Sequence, residues 1–259
     1  MASTTPAASG RQIDLNADVG ESFGPWRMGD DKGLIPLVSS VNIACGAHAG
    51  DPSTIARTVR LAVTHGVALG AHPGYPDLAG FGRRELDMSD DDLEASLLAQ
   101  IGAVEAIARS LGATVRHVKP HGALYNRAAR DPELATVIAG AIARLDPTLA
   151  LVGLAGSALL TAGMKANLTV RAEGFADRAY EPDGSLRDRR LDGALLDPAA
   201  AAAQAVSIAR DRSATTREGR RVPIEADTIC IHGDGPDAVA TAIAVRAALA
   251  LAGIDVRAR

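Results

Sequence analysis

Four of the six histidines in this 259-residue chain, His48, His72, His121 and His232, stand within a few residues of the end of a short apolar run. Asp18, Glu21, Lys119, Glu173 and Asp234 occupy similar places. A carboxylate with two imidazoles is a common ligand set for Zn²⁺ or a similar divalent metal that activates water, and Asp18, His48 and His72 are the natural triad. The same residues also support metal-free chemistry. Asp18 or Glu173 would then be the general base, while Lys119 or a histidine such as His121 stabilises developing negative charge. Both routes lead to hydrolysis of an acyl or C–N bond. Spacing does not choose between them, because Asp18, His48 and His72 form no local H-x-x-H or H-x-x-x-H pair among themselves.

These residues need a scaffold that brings strand ends together. In T-V-R-H-V-K-P-H-G-A-L-Y-N, residues 114–126, a β-branched run ends at Lys119, and Pro120 stops the strand and throws His121 into the turn beyond it. Other strands are expected over 12–17, 40–45, 67–71, 149–152, 168–172 and 228–231, the sixth ending in Glu173. Along the first, Asp14, Asn16 and Asp18 share one face, since strand side chains alternate with a period of two. Helices are announced by Asp51-Pro52, Asp131-Pro132 and Asp197-Pro198, where Asp caps and Pro fits the first turn. Ser89 with three aspartates opens a further long helix.

Seven strands alternating with helices indicate a parallel α/β protein. Neither G-x-G-x-x-G after the first strand nor a Walker motif is present, so a barrel fits better than a nucleotide-binding open sheet. Closing the barrel puts every strand's carboxyl end on one rim. Asn16, Glu21, His232 and Asp234 would join that rim as substrate contacts.

Two segments lack periodicity. The loop over 73–88 presents Arg83 and Arg84, a pair suited to a carboxylate or phosphate. The stretch over 174–196 is too long for an idle connection and reads as a lid carrying Asp177, Arg178 and Tyr180. Residues 213–221 are expected to be exposed, and Val239, Ile243, Val245, Ala248 and Leu251 to line the last helix.

Hydrophobic residues make up 47% of the chain and charged ones 22%, an ordinary globular balance that fits one barrel domain over 12–259. A net charge of −4 and 3% aromatics argue against nucleic acid as a partner. No apolar run approaches a membrane span, and residues 1–11 read as a disordered tail rather than a signal peptide. Cys45 and Cys230 each lie in apolar runs, as buried free thiols do, which suits a reducing cytoplasm.

Seven ordered motifs make the chain similar to the LamB/YcsF family. They are D-L-N-A-D-V-G-E at 14–21, N-I-A-C-G-A-H-A-G-D at 42–51, G-A-H-P-G-Y-P-D at 70–77, G-F-G-R-R at 80–84, V-K-P-H-G-A-L-Y-N at 118–126, E-G-F-A-D-R-A-Y at 173–180 and C-I-H-G-D at 230–234. The resemblance implies a distorted, TIM-like (β/α)7 barrel akin to glycoside hydrolases and polysaccharide deacetylases. It also implies an ATP-dependent 5-oxoprolinase that opens 5-oxo-L-proline, a small lactam, to L-glutamate together with partner subunits B and C. ATP would be co-substrate, phosphorylating the lactam oxygen before hydrolysis, with Lys119, Arg83 or Arg84 holding carboxylate or phosphate. Ala47, Gly74 and Gly235 depart from the family's usual residues, beside the expected site. A free-standing metal-dependent deacetylase or amidohydrolase, or a non-catalytic lactam-binding protein of the same complex, are the competing functions.

Overall fold

A computed structural model describes residues 11–258. The tail expected over 1–11 lies outside the described residues except for Arg11, which begins β1 (Arg11–Val19). Alternation along β1 sets the plan of the molecule. Ile13, Leu15, Ala17 and Val19 pack into the apolar core, while Asp14, Asn16 and Asp18 are equally buried but make polar contacts across the strands. After the short α1 (Asp31–Leu34) come β2 (Ser40–Ala44) and α2 (Pro52–Thr64). Asp51 caps α2 by accepting from the Ser53 and Thr54 amides, and His65 ends it.

β3 (Ala68–His72) leads into α3 (Asp90–Ser110), capped by Ser89, whose Leu93, Leu97, Ile101, Val104 and Ala108 form one buried stripe. β4 (Val115–Val118), α4 (Gly122–Ala128), α5 (Pro132–Leu145), β5 (Ala150–Leu154), α6 (Ala158–Lys165), β6 (Val170–Phe175) and α7 (Pro198–Asp211) follow. A hairpin of β7 (Ser213–Thr215) and β8 (Arg221–Pro223) precedes β9 (Thr228–Ile231), α8 (Ala238–Leu251) and β10 (Ile254–Val256).

Strands β1 to β6 pair in sequence order, all parallel, and β9 pairs with both β6 and β1, closing a seven-stranded barrel. The register aligns Asp18 with Asn42, Ala44 with His72, Gly70 with His117 and Glu173 with Thr228. β10 adds a parallel extension beside the start of β1. Among the described residues no helix is long and apolar enough to cross a membrane.

Three expectations are corrected. Residues 213–221 are not simply exposed: they build most of the antiparallel hairpin, and Ala214 and Thr216 are buried beneath it. Ile243 and Leu251 face outward at 54% and 91% exposure, and α8 instead buries Ala238, Thr241, Ala242, Val245 and Leu249. The alanine-rich sequence offers no distinct stripe from which to fix that helix's phase. The segment after β6 is anchored where a swinging lid was expected. Tyr180 and Arg178 are buried, Phe175 donates its amide to the Tyr180 hydroxyl, and Gln204 of α7 donates to the carbonyls of Phe175, Ala176 and Arg178.

Candidate active site

The barrel interior is a column of polar side chains, most of them hydrogen-bonded across to a neighbouring strand, although among the described residues His117 Nδ1 has no partner. At its lower end the Asp14 carboxylate accepts from the hydroxyls of Ser39, Ser40 and Thr228 at 2.6–3.0 Å. One layer up, Asn42 donates to Asn16 Oδ1 at 2.7 Å and Asp18 Oδ1 at 2.8 Å, and its own oxygen lies 2.8 Å from His117 Nε2. Asn16 donates to Glu173 Oε1 and to Thr228. The His117 ring crosses Gly70 of the adjacent strand, where a Cβ would collide with the imidazole. Only glycine leaves that space. Burial holds His117 neutral, with its pKa pushed down to about 3.

Lys119 lies at the centre of the next layer, 2% exposed. Its ammonium meets Asp18 Oδ1 at 2.9 Å, Glu173 Oε1 at 2.9 Å and Cys230 Sγ at 3.0 Å. Burial disfavours that charge, but the Asp18 carboxylate, Cys230 and Glu173 outweigh it and hold the lysine pKa well above its usual range. All three ammonium hydrogens have partners. Lys119 is thus a fixed cation organising the two carboxylates rather than a free hand for a substrate anion. Tyr125 of α4 donates to the other Glu173 oxygen at 2.7 Å. Burial pushes Asp18 up, yet His72 and Lys119 together bring its pKa well below the ordinary carboxylate range, so it is ionised.

Above Asp18 the rim carries a histidine cluster. His72 ends β3, His121 begins the turn into α4, and His48 comes from the tight turn after β2. His72 Nε2 stands 3.4 Å from Asp18 Oδ2 and 2.9 Å from His121 Nδ1. His48 and His121 stack in parallel at 3.8 Å, and Phe81 meets both edge-on. Gly82, at φ +64°, makes the packing possible: a Cβ there would approach His48 Cβ and His121 Cδ2 to 2.9 Å. Glu21 Oε1 is 3.7 Å from His121 Nδ1. Burial, reinforced by Asp18, raises the Glu21 pKa well above normal, while burial lowers those of His48 and His121. Glu21, His48, His72 and His121 each offer one ligand atom within 4.8 Å of all the others, so this buried cluster could hold a metal. Asp18, grouped with His48 and His72 in the sequence, stands just beneath it with Oδ1 committed to Lys119 and Asn42.

The remaining expected residues divide. His232 meets Asp177 at 3.0 Å through its ring and donates its backbone amide to the same carboxylate. Asp234 binds Arg83 at 2.6 Å and lies 3.5 Å from Arg189. Arg84 does not face the rim: it pairs with Asp77 and its side chain is 64% exposed. Arg178 donates to the Arg187 carbonyl and, like Tyr180, is packed into the base of its loop. Asn42, Tyr125, Cys230 and Arg189 were missed. Asn42 follows Ser40 at the spacing of one strand face and was legible, whereas Arg189 sits in a loop with no pattern to mark it.

An ionised carboxylate beneath a cluster of imidazoles, with arginines above, can bind an anionic carbonyl compound and take a proton from water. The sequence profile of the LamB/YcsF family matches residues 13–259. A Chloroflexus aggregans protein named as the A subunit of 5-oxoprolinase is 58% identical over 246 residues, covering 95% of this chain and 98% of that one. The Methylococcus capsulatus protein of the same name is 55% identical over 249 residues, covering 96% of each chain. The crystal structure of a lactam utilization protein from Thermus thermophilus superposes with a TM-score of 0.91 at 47% identity, over 96% of this chain and 100% of that one.

Proposed function

Because the chain belongs to the LamB/YcsF family, we propose that it serves as the A subunit of a 5-oxoprolinase, opening 5-oxo-L-proline to L-glutamate in an ATP-dependent complex with subunits B and C. The full-length match to relatives bearing that name carries this conclusion. Residues 12–259 act as one barrel domain, and the complex works in the cytoplasm.

A five-membered lactam is a resonance-stabilised amide, so its hydrolysis needs an activated carbonyl and a positioned water. ATP enters as co-substrate of the assembled enzyme, phosphorylating the lactam oxygen, and this chain performs the hydrolytic half. Arg83 and Arg189, gathered around Asp234, hold the substrate's carboxylate or the transferred phosphate. Water is positioned at the histidine cluster, where Asp18 Oδ2, the oxygen not bound by Lys119, accepts its proton. The water's oxygen bonds to the activated carbon and the C–N bond breaks as the departing nitrogen takes up a proton, leaving an acyl phosphate that a second water cleaves to the glutamate carboxylate and inorganic phosphate. Lys119 and Glu173 position Asp18 from below, and His232 with Asp177 walls the opposite side. A divalent metal at the cluster is the second way of activating that water.

Glutamate release by the purified chain, alone and with subunits B and C, with and without ATP, tests these roles. Glutamate is expected only from the complete mixture. ATP-independent hydrolysis by the chain alone would make it a free-standing amidohydrolase. Full turnover by an Asp18→Asn complex would reduce it to a lactam-binding component.

A further inference from the structure

The hydrogen bonds around the histidine cluster fix which ring nitrogens carry protons. His72 Nδ1 lies 2.7 Å from the Lys119 carbonyl oxygen, and His121 Nε2 lies 2.9 Å from that of Phe81. A carbonyl oxygen can only accept, so both nitrogens bear hydrogen. In the neutral rings, His72 Nε2 and His121 Nδ1 are therefore both lone pairs, and they face each other at 2.9 Å. Two acceptors so placed repel unless something positive sits between them. A third ring, His48, is wholly buried, and among the described residues neither of its nitrogens has a hydrogen-bond partner. A polar group taken out of water without a partner costs about 1–3 kcal/mol. The Glu21 carboxyl completes the group from the end of β1.

We propose that Glu21, His48, His72 and His121 bind one divalent transition-metal ion of the zinc class, with Asp18 beside the site as its outer carboxylate partner. Every unusual feature of the cluster then has one cause: the facing lone pairs become two metal–nitrogen bonds, and the orphaned ring of His48 supplies a third. Three imidazoles and a carboxylate suit Zn²⁺, Co²⁺ or Ni²⁺, and not Mg²⁺ or Ca²⁺, which prefer all-oxygen sites. The backbone carbonyls of Lys119 and Phe81 orient two of the rings by holding their distal N–H groups, the usual support for metal-bound histidine. The alternative occupant is a single proton shared between His72 and His121.

Chelator-stripped full-length protein titrated with Co²⁺ and followed by visible absorption distinguishes these cases. One equivalent should bind with the intense d–d bands of a four-coordinate nitrogen–oxygen site, and Zn²⁺ should displace it. His48→Asn and His121→Gln should each weaken Co²⁺ binding by about 100-fold or more, whereas His65→Ala, which alters only the end of α2, should leave it unchanged. Circular dichroism of the apo variants identifies any that fail to fold. In that event, Glu21→Gln replaces them as the diagnostic substitution. Absence of a saturable cobalt spectrum overturns the metal site, as would a far-downfield shared-proton NMR signal that persists with Zn²⁺ in excess. The measurement needs no turnover. Loss of the metal site would leave the ring-opening function standing, and a metal-loaded chain that never yields glutamate with its partners would overturn only the latter.

Discussion

Lys119→Met removes the cation from the centre of the barrel while keeping a side chain of similar length. In the folded protein the ammonium is 2.9 Å from one oxygen of Asp18 and 2.9 Å from one of Glu173. At an effective dielectric constant near 20 each contact is worth about 6 kcal/mol of gross Coulomb attraction. Most of this offsets the cost of burying three charged groups, so the net loss on removing one partner should be about 3–5 kcal/mol. The variant strands two carboxylates, and without Lys119 burial should push the folded pKa of Asp18 above its unfolded one. Such groups cost stability above the unfolded carboxylate pKa of about 4 and cost nothing below it. The wild type changes in the opposite sense, because depressed Asp18 loses its stabilising effect as pH falls. Urea unfolding in the presence of chelator should therefore show a large gap at pH 8 that narrows by pH 5. Adding Asp18→Asn to Lys119→Met should recover part of the loss. A single-variant loss below about 1 kcal/mol, constant with pH, would mean that the layer is hydrated and does not hold Asp18 as described.

Two further outcomes follow from the rim and the helix caps. Arg83→Ala should raise the KM for 5-oxoproline in the complete complex by about 10- to 100-fold, the loss of one charged hydrogen bond, while Arg84→Ala, paired with Asp77 away from the rim, should stay within about twofold. Steady-state kinetics on the two variants decides, and equal effects would move the anion site. Asp51→Ala should cost about 1 kcal/mol of stability at pH 7 through loss of the α2 cap. The Thr54 hydroxyl, followed by the Gly24, Thr54 and Ser53 amides, holds the Asp51 pKa at about 2, so its contribution is present above about pH 4 and disappears as pH falls through about 2. Urea curves at pH 7 and pH 2.5 should show the variant and wild type converging.

Alternation made β1 readable from the residues alone: carboxylates and an amide at 14, 16 and 18 between aliphatics place three polar groups on one face of the strand, and the structure buries both faces. The three Asp-Pro helix starts were legible for a similar reason, since each residue type does one local job. What the sequence concealed depends on pairing across the barrel. His121 and Glu21 are far apart along the chain, and only closure of β1 to β4 sets them beside His48 and His72. Asp18 reads as the metal carboxylate because it stands at the end of β1, with Glu21 just beyond that strand. The structure instead gives its inner oxygen to Lys119 and Asn42, a choice made by strand register and not by residue type. Arg189 and the phase of α8 were hidden because neither a patternless loop nor an alanine-rich helix encodes orientation locally.

The polar column also explains why the chemistry collects at one end. A barrel of this kind is ordinarily filled by layers of branched aliphatic side chains, whereas Asp14, Asn16, Asn42, His117, Lys119 and Glu173 fill this one with groups that tolerate burial only when paired. Pairing is nearly complete below the rim, where hydrogen bonds join the layers from Asp14 through Thr228 and Asn16 to Asn42 and Asp18. A network so satisfied resists rearrangement, because moving one member strands its neighbours. Facing lone pairs and both unpartnered nitrogens of His48 are then left at the strand ends, packed against Gly82. Rigidity beneath therefore converts into preorganisation above: Asp18 cannot turn away from His72 without breaking its contacts to Lys119 and Asn42, so its free oxygen stays aimed at the histidines whether or not substrate is present.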